Sequence, residues 1–86
     1  MRILVVDDDA ALLRAMRRGL EAEGFAVDTA GDGTEGEWLA RENPYDVVVL
    51  DVMLPGRDGY DVCARLRDAG VDAPVLMLTA KNAVSD

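Results

Sequence analysis

Three runs of four consecutive apolar residues constrain this chain most: Ile3-Leu4-Val5-Val6, Val47-Val48-Val49-Leu50 and Val75-Leu76-Met77-Leu78. Each is halted by a polar residue, Asp7, Asp51 or Thr79. Short continuous apolar runs of this kind read as strands buried on both faces, the pattern of a parallel sheet rather than of a half-wet antiparallel one. They are too short for a membrane span or a signal-peptide core.

The segments between the runs have a different period. Leu12, Leu13, Met16 and Leu20 recur at helical spacing, with Arg14, Arg17 and Arg18 on other faces and Gly24 as the stop. Phe25 to Ala30 alternates Phe25, Val27 and Thr29 against Ala26 and Asp28, a strand with one wet side that suits a sheet edge. Asp32-Gly33 is a turn, and a weakly patterned helix follows from Thr34 to Glu42, ended by Asn43-Pro44. Tyr60, Val62, Cys63 and Leu66 form the stripe of a third helix ending near Gly70. The order is β-α-β-α-β-α-β. Helices between strands imply right-handed crossovers and parallel pairing. The expected fold is therefore α/β, a flavodoxin-like doubly wound parallel sheet with strand order 2-1-3-4.

With 86 residues the chain holds one small domain. A formal net charge of −8 argues against direct nucleic-acid binding, which needs Lys and Arg, and suits a cation or a basic partner surface. One cysteine, Cys63, and no histidine exclude an internal disulfide, Cys-His zinc sites and any scheme needing a His base. Cys63 reads as a buried packing thiol. With no export signal and no disulfide pair, the expected location is cytoplasmic, with no membrane partner.

In a doubly wound sheet, function gathers where the strand order reverses, at the C-terminal strand ends. In the order 2-1-3-4, strands one and three flank that point. Asp7, Asp8 and Asp9 follow the first, and Asp51 follows the third. Two carboxylates about 4 Å apart repel by roughly 4 kcal/mol at an effective dielectric near 20. A hard divalent cation with oxygen ligands and waters offsets this, and Mg²⁺ fits, with Mn²⁺ as an alternative. Asp9 reads instead as a helix cap.

Three stretches then carry a resemblance: Ile3 to Asp9, Val48 to Gly59 (with Asp51-Val52-Met53-Leu54-Pro55-Gly56-Arg57-Asp58-Gly59), and Val75 to Lys81. Together they resemble the receiver domain of bacterial two-component response regulators, over residues 1–86, and in wording the subgroup with a winged-helix DNA-binding output domain. The resemblance implies that Asp51 accepts a phosphoryl group from a histidine kinase. Asp8 is then the direct Mg²⁺ ligand, Asp7 acts mainly through water, and the Met53 backbone carbonyl completes the coordination. Thr79 is the switch hydroxyl, Ala80 the small residue beside the site, and Gly56 and Gly59 are loop glycines. A carboxylate can attack phosphorus to form an acyl phosphate, and such transfer depends on positioning and charge neutralisation. DNA would be reached only through an output domain absent from this sequence.

The sequence departs from the family pattern in two ways. The lysine and the aromatic residue expected on a fifth strand are missing, as are that strand and the last two helices, so the receiver is expected to be incomplete at its C-terminus. Lys81 is not the missing lysine. The second departure is Glu37, where the family usually has an apolar residue, with Trp38 as a candidate to cover the gap. Because strand four reads as an interior strand, homodimerisation or other self-association is expected. A non-switching, self-associating structural fragment is the alternative reading. A flavodoxin-like cofactor protein would place a Gly/Ser/Thr-rich phosphate loop where the three aspartates stand. An Asp-x-Asp phosphatase lacks its second acid, since Met53 occupies that position.

Overall fold

The computed structural model describes residues 1–78, and the order of its elements follows the sequence pattern. They are β1 (Arg2–Val6), α1 (Ala10–Ala22), β2 (Ala26–Ala30), α2 (Gly33–Glu42), β3 (Val47–Asp51), α3 (Gly59–Asp68) and β4 (Val75–Leu78). The four strands form one parallel sheet in the order β2-β1-β3-β4, as expected. Leu4 aligns with Asp28 on one side and Val48 on the other, and Val48 aligns in turn with Val75.

The apolar runs form the centre of the sheet because both of their faces are covered. Leu4, Val6, Val48 and Leu50 face α2 and α3, where they meet Ala40, Tyr45, Val62 and Leu66 in one core. Ile3, Val5, Val27 and Val49 form a second core on the other face, against Leu13, Met16 and Leu20 of α1.

Each helix starts on an aspartate. Asp9 caps α1 by accepting the backbone N–H groups of Ala11 (3.0 Å) and Leu12 (3.1 Å). Asp32 caps α2 through Glu35 N–H at 2.7 Å, and Asp58 caps α3 through Asp61 N–H at 2.8 Å. An oxygen acceptor at this position satisfies donors that the first turn leaves unpaired. Three of the chain's acids are thereby explained by local structure.

The structure corrects several readings. Tyr60 does not belong to the buried stripe of α3; in the helix's first turn it is 64% exposed. Leu12 is exposed too, leaving Leu13, Met16 and Leu20 as the packed side of α1. Cys63 is half-buried against the larger core rather than enclosed. Trp38 is largely exposed rather than filling a gap, whereas Glu37 is itself buried and holds two arginines. Asp28, read as part of a wet strand face, accepts from the Tyr45 hydroxyl at 2.6 Å and from Arg2 at 2.8 Å.

Candidate metal centre

The site forms where the two central strands end. The pairing of Val6 with Leu50 brings the next residues, Asp7 and Asp51, to the same end of adjacent strands. The chain leaves β1 at Asp7, whose N–H still donates to the Ala30 carbonyl of β2 at 3.1 Å. It turns at once into α1, which places Asp8 beside the other two. One carboxylate oxygen from each of Asp7, Asp8 and Asp51 lies within 4.8 Å of the others. Asp7 is buried, Asp51 half-buried and Asp8 exposed, so the cluster grades from the sheet to solvent.

The electrostatics are unfavourable to the cluster as it stands. Burial pushes the Asp7 carboxyl above its ordinary value; the Asp9 N–H, donating at 2.8 Å, works against this, and the charges of Asp51, Asp8 and Asp9 add to it. At such separations each pair of charges repels by roughly 3 kcal/mol at an effective dielectric near 20. Among the described residues the ion pairs join Arg2, Arg17, Arg41, Arg57 and Arg65 to Asp28, Glu21, Glu37 and Asp61, and none reaches the cluster. A donor set made only of carboxylate oxygens, open on one side to water, fits a hard divalent cation such as Mg²⁺.

The other expected residues fall as follows. Met53 stands two residues past Asp51, and its N–H donates to Asp51 Oδ1 at 3.1 Å, which folds the loop back over the strand end. Gly59 passes so close that an added Cβ would lie 2.5 Å from the Asp51 carbonyl oxygen, while its N–H donates to Val52 O at 2.7 Å. Gly56 sits at φ +83°, a conformation that side chains disfavour. Thr79 and Ala80, together with Lys81, lie outside the described residues.

Sequence reasoning missed the wall beside the cluster. Asp8, Val52, Met53, Leu54, Pro55, Asp58 and Tyr60 line an open groove of about 520 Å³. Met53 and Tyr60 expose most of their side chains there, at 70% and 64%. Two large apolar residues flanking an acid-lined loop were the available signal, but helical periodicity assigned Tyr60 to the core.

Comparison with known proteins agrees with this geometry. The family described as "Response regulator receiver domain" matches residues 3–86. The chain is 51% identical over 87 residues to the response regulator MprA of Mycobacterium leprae, aligning all of itself with 38% of that protein. It is 52% identical over 86 residues to the transcriptional regulatory protein TcrA of Mycobacterium tuberculosis, covering 34% of it. The chain therefore spans little more than a third of the length of these relatives. Among solved structures, the receiver domain of the Francisella response regulator 1452 superposes with a TM-score of 0.90 at 34% identity, over 96% of this chain and 69% of that one. TrrA from Thermotoga maritima, solved in complex with Mg²⁺-BeF, superposes with a TM-score of 0.87 at 37% identity, over 94% of this chain and 70% of that one.

Proposed function

The chain belongs to the response-regulator receiver family, and on that premise we propose that Asp51 accepts a phosphoryl group from a histidine kinase and so acts as a switch for a longer protein. The observation that carries the reading is the convergence of Asp7, Asp8 and Asp51 at the ends of β1 and β3 without a basic partner among the described residues. In the transfer, an Asp51 carboxylate oxygen bonds to phosphorus as the bond from phosphorus to the donor nitrogen breaks. The product is an acyl phosphate and a free imidazole. Asp7, Asp8, Asp51 and the Met53 carbonyl would hold the divalent cation, Mg²⁺ or Mn²⁺. A bound cation supplies charge neutralisation for the three carboxylates and the phosphoryl oxygens. The Met53 N–H donates to Asp51 Oδ1, which leaves Oδ2 without a donor among the described residues. Thr79 would then donate its hydroxyl to the new oxygens as the switch.

Residues 1–86 form one receiver unit in this reading. Its output is transcriptional, as the printed names of the relatives suggest, and DNA is contacted by a further domain. The protein works in the cytoplasm, where the kinase's phosphorylated histidine is presented. Incubation with acetyl phosphate and Mg²⁺ followed by mass spectrometry should find one phosphoryl group on Asp51. Label elsewhere, or unchanged labelling in Asp51→Asn, would overturn the assignment.

A second reading is favoured by one observation. β4 is the outermost strand among the described residues, and its Leu76 is 56% exposed. Such an edge suits a self-associating module, and the two readings differ in whether Mg²⁺ and a phosphodonor change the protein at all.

A further inference from the structure

Glu37 is a carboxylate on the inner side of α2, 6% exposed. A buried acid persists only when paired and hydrogen-bonded, and removing one partner leaves a costly charge behind. Glu37 has two partners of different kinds. Arg41, one turn along the same helix, donates to Oε2 at 2.9 Å from a half-exposed position. Arg57 donates to Oε1 from the loop between β3 and α3, twenty residues away in sequence. The first pair is internal to α2, whereas the second joins α2 to the loop that carries Met53.

That loop, residues 52–58, is held at three points. Its start is tied to the sheet by the Met53 N–H on Asp51 Oδ1 and by the Val52 N–H on the Leu78 carbonyl of β4, and to α3 by the Gly59 N–H on Val52 O. Its end is tied to α3 by the Asp58 cap. Its middle meets α2 twice: Gly33 N–H reaches the Pro55 carbonyl at a long 3.5 Å, and Glu37 holds Arg57, whose guanidinium also lies 4.0 Å from Asp61 of α3, while Leu54 packs against the larger core. Because the neutral contact is stretched, the Glu37 ion pair is the stronger of the two ties to α2. It is also largely shielded from water, since the Glu37 side chain is 7% and the Arg57 side chain 28% exposed.

We propose that Glu37, acting through Arg57, is a positioning residue that fixes the β3–α3 loop and thereby sets the affinity of the acid cluster for a divalent cation. The inference deepens the reading above and rests on the Met53 carbonyl taking part in cation binding. Groups that orient metal ligands from behind typically change affinity by tenfold or more when removed.

Four variants test it by Mg²⁺ titration, read by calorimetry and by amide shifts of residues 52–58, alongside circular dichroism. Arg57→Met and Glu37→Leu should each weaken Mg²⁺ binding roughly tenfold. Glu37→Leu should do so with little change in melting temperature, because an apolar side chain suits the buried position and both arginines it releases reach solvent. Arg41→Met removes the other ion pair of the same carboxylate but leaves the loop tie, and should bind Mg²⁺ as the parent does. Should Glu37→Leu fail to fold, the isosteric Glu37→Gln carries the same test. Parent-like affinity in both the Glu37 and Arg57 variants, or an equal loss in Arg41→Met, overturns the inference while leaving the functional reading intact. Asp8→Asn is the control for that reading. If the parent takes up no cation, or Asp8→Asn binds it equally well, the functional reading fails and this inference fails with it.

Discussion

The two faces of the sheet are built to different standards. On one, α2 and α3 bury Ala40, Val62 and Leu66 against Leu4, Val6, Val48 and Leu50, and the core is closed. On the other, α1 is the helix that covers the sheet among the described residues and buries none of its own residues; Leu13, Met16 and Leu20 are only half-buried there, and Leu76 stands in solvent. The difference follows from connectivity. Among the described residues, two crossovers place helices on the first face and one places a helix on the second. The loop that carries Met53 leans on the closed face, so the site takes its rigidity from the side of the molecule that is well packed.

The comparison breaks most readily at the closed core. Leu66 is 0% exposed, and Leu66→Ala should cost roughly 2–5 kcal/mol, the range for a buried leucine that leaves a cavity. Met16→Ala, on the half-covered face, should cost about 1 kcal/mol. Urea unfolding of the pair gives both values. Equal costs would mean that the two faces contribute alike.

The next effect has the opposite sign. Asp7 is buried among like charges, so its ionised form is disfavoured in the fold. Asp7→Asn keeps an acceptor for the Asp9 N–H and removes the charge. It should raise the melting temperature in metal-free buffer, by about 1 kcal/mol of stability, and should lessen the stabilisation gained on adding Mg²⁺. Thermal melts with chelator and with Mg²⁺ would show both, and a variant less stable than the parent without metal would contradict the electrostatic reading of the site.

A polar staple at the opposite end of the sheet provides the third test. The Tyr45 hydroxyl, followed by Arg2, holds the Asp28 carboxyl below its ordinary value. Asp28 therefore stabilises the fold fully above the ordinary carboxylate pKa, and that contribution is lost as pH falls through the lowered folded value. Burial, with the Asp28 contact, pushes the Tyr45 hydroxyl up to about 12, so a second contribution is lost as pH rises from 10.0 toward that value. Tyr45→Phe should cost about 1 kcal/mol at neutral pH and should blunt both decreases. Stability measured across pH in parent and variant decides the point.

Much of this was legible in the sequence for a physical reason. Ile3–Val6 and Val47–Leu50 are apolar because both of their faces are covered, and that local pattern survives any tertiary arrangement. The acids are legible because strand ends in this topology converge, which brings Asp7, Asp8 and Asp51 together. What escaped depends on partners distant in sequence. In sequence Glu37 is a charge at an apolar position and Asp28 an acid on a wet strand face; the residues that account for them, Arg57 and Tyr45, stand far off in the chain. Tyr60 was misread because helical periodicity gives the angle of a residue but not whether anything lies opposite the helix's first turn.

The smallest expected effect on stability concerns the bare part of the weaker face. Leu76 pairs with Val49 in the sheet, and so shares the α1 side of it, but α1 packs against β1 and β2 and leaves Leu76 56% exposed. An exposed side chain gains little on folding, so Leu76→Lys should change stability by about 0.5 kcal/mol or less. Its effect on association should be larger. β4 is the outermost described strand, and an uncharged outer strand is a template for pairing with another chain, which an inserted lysine opposes. Light scattering across a concentration series should show the parent's mass rising with concentration and Leu76→Lys remaining monomeric at the same concentrations. A parent that stays monomeric to high micromolar concentration would show that the bare face is tolerated in solution. The unevenness of the two faces would then be a property of packing alone, with no consequence for assembly.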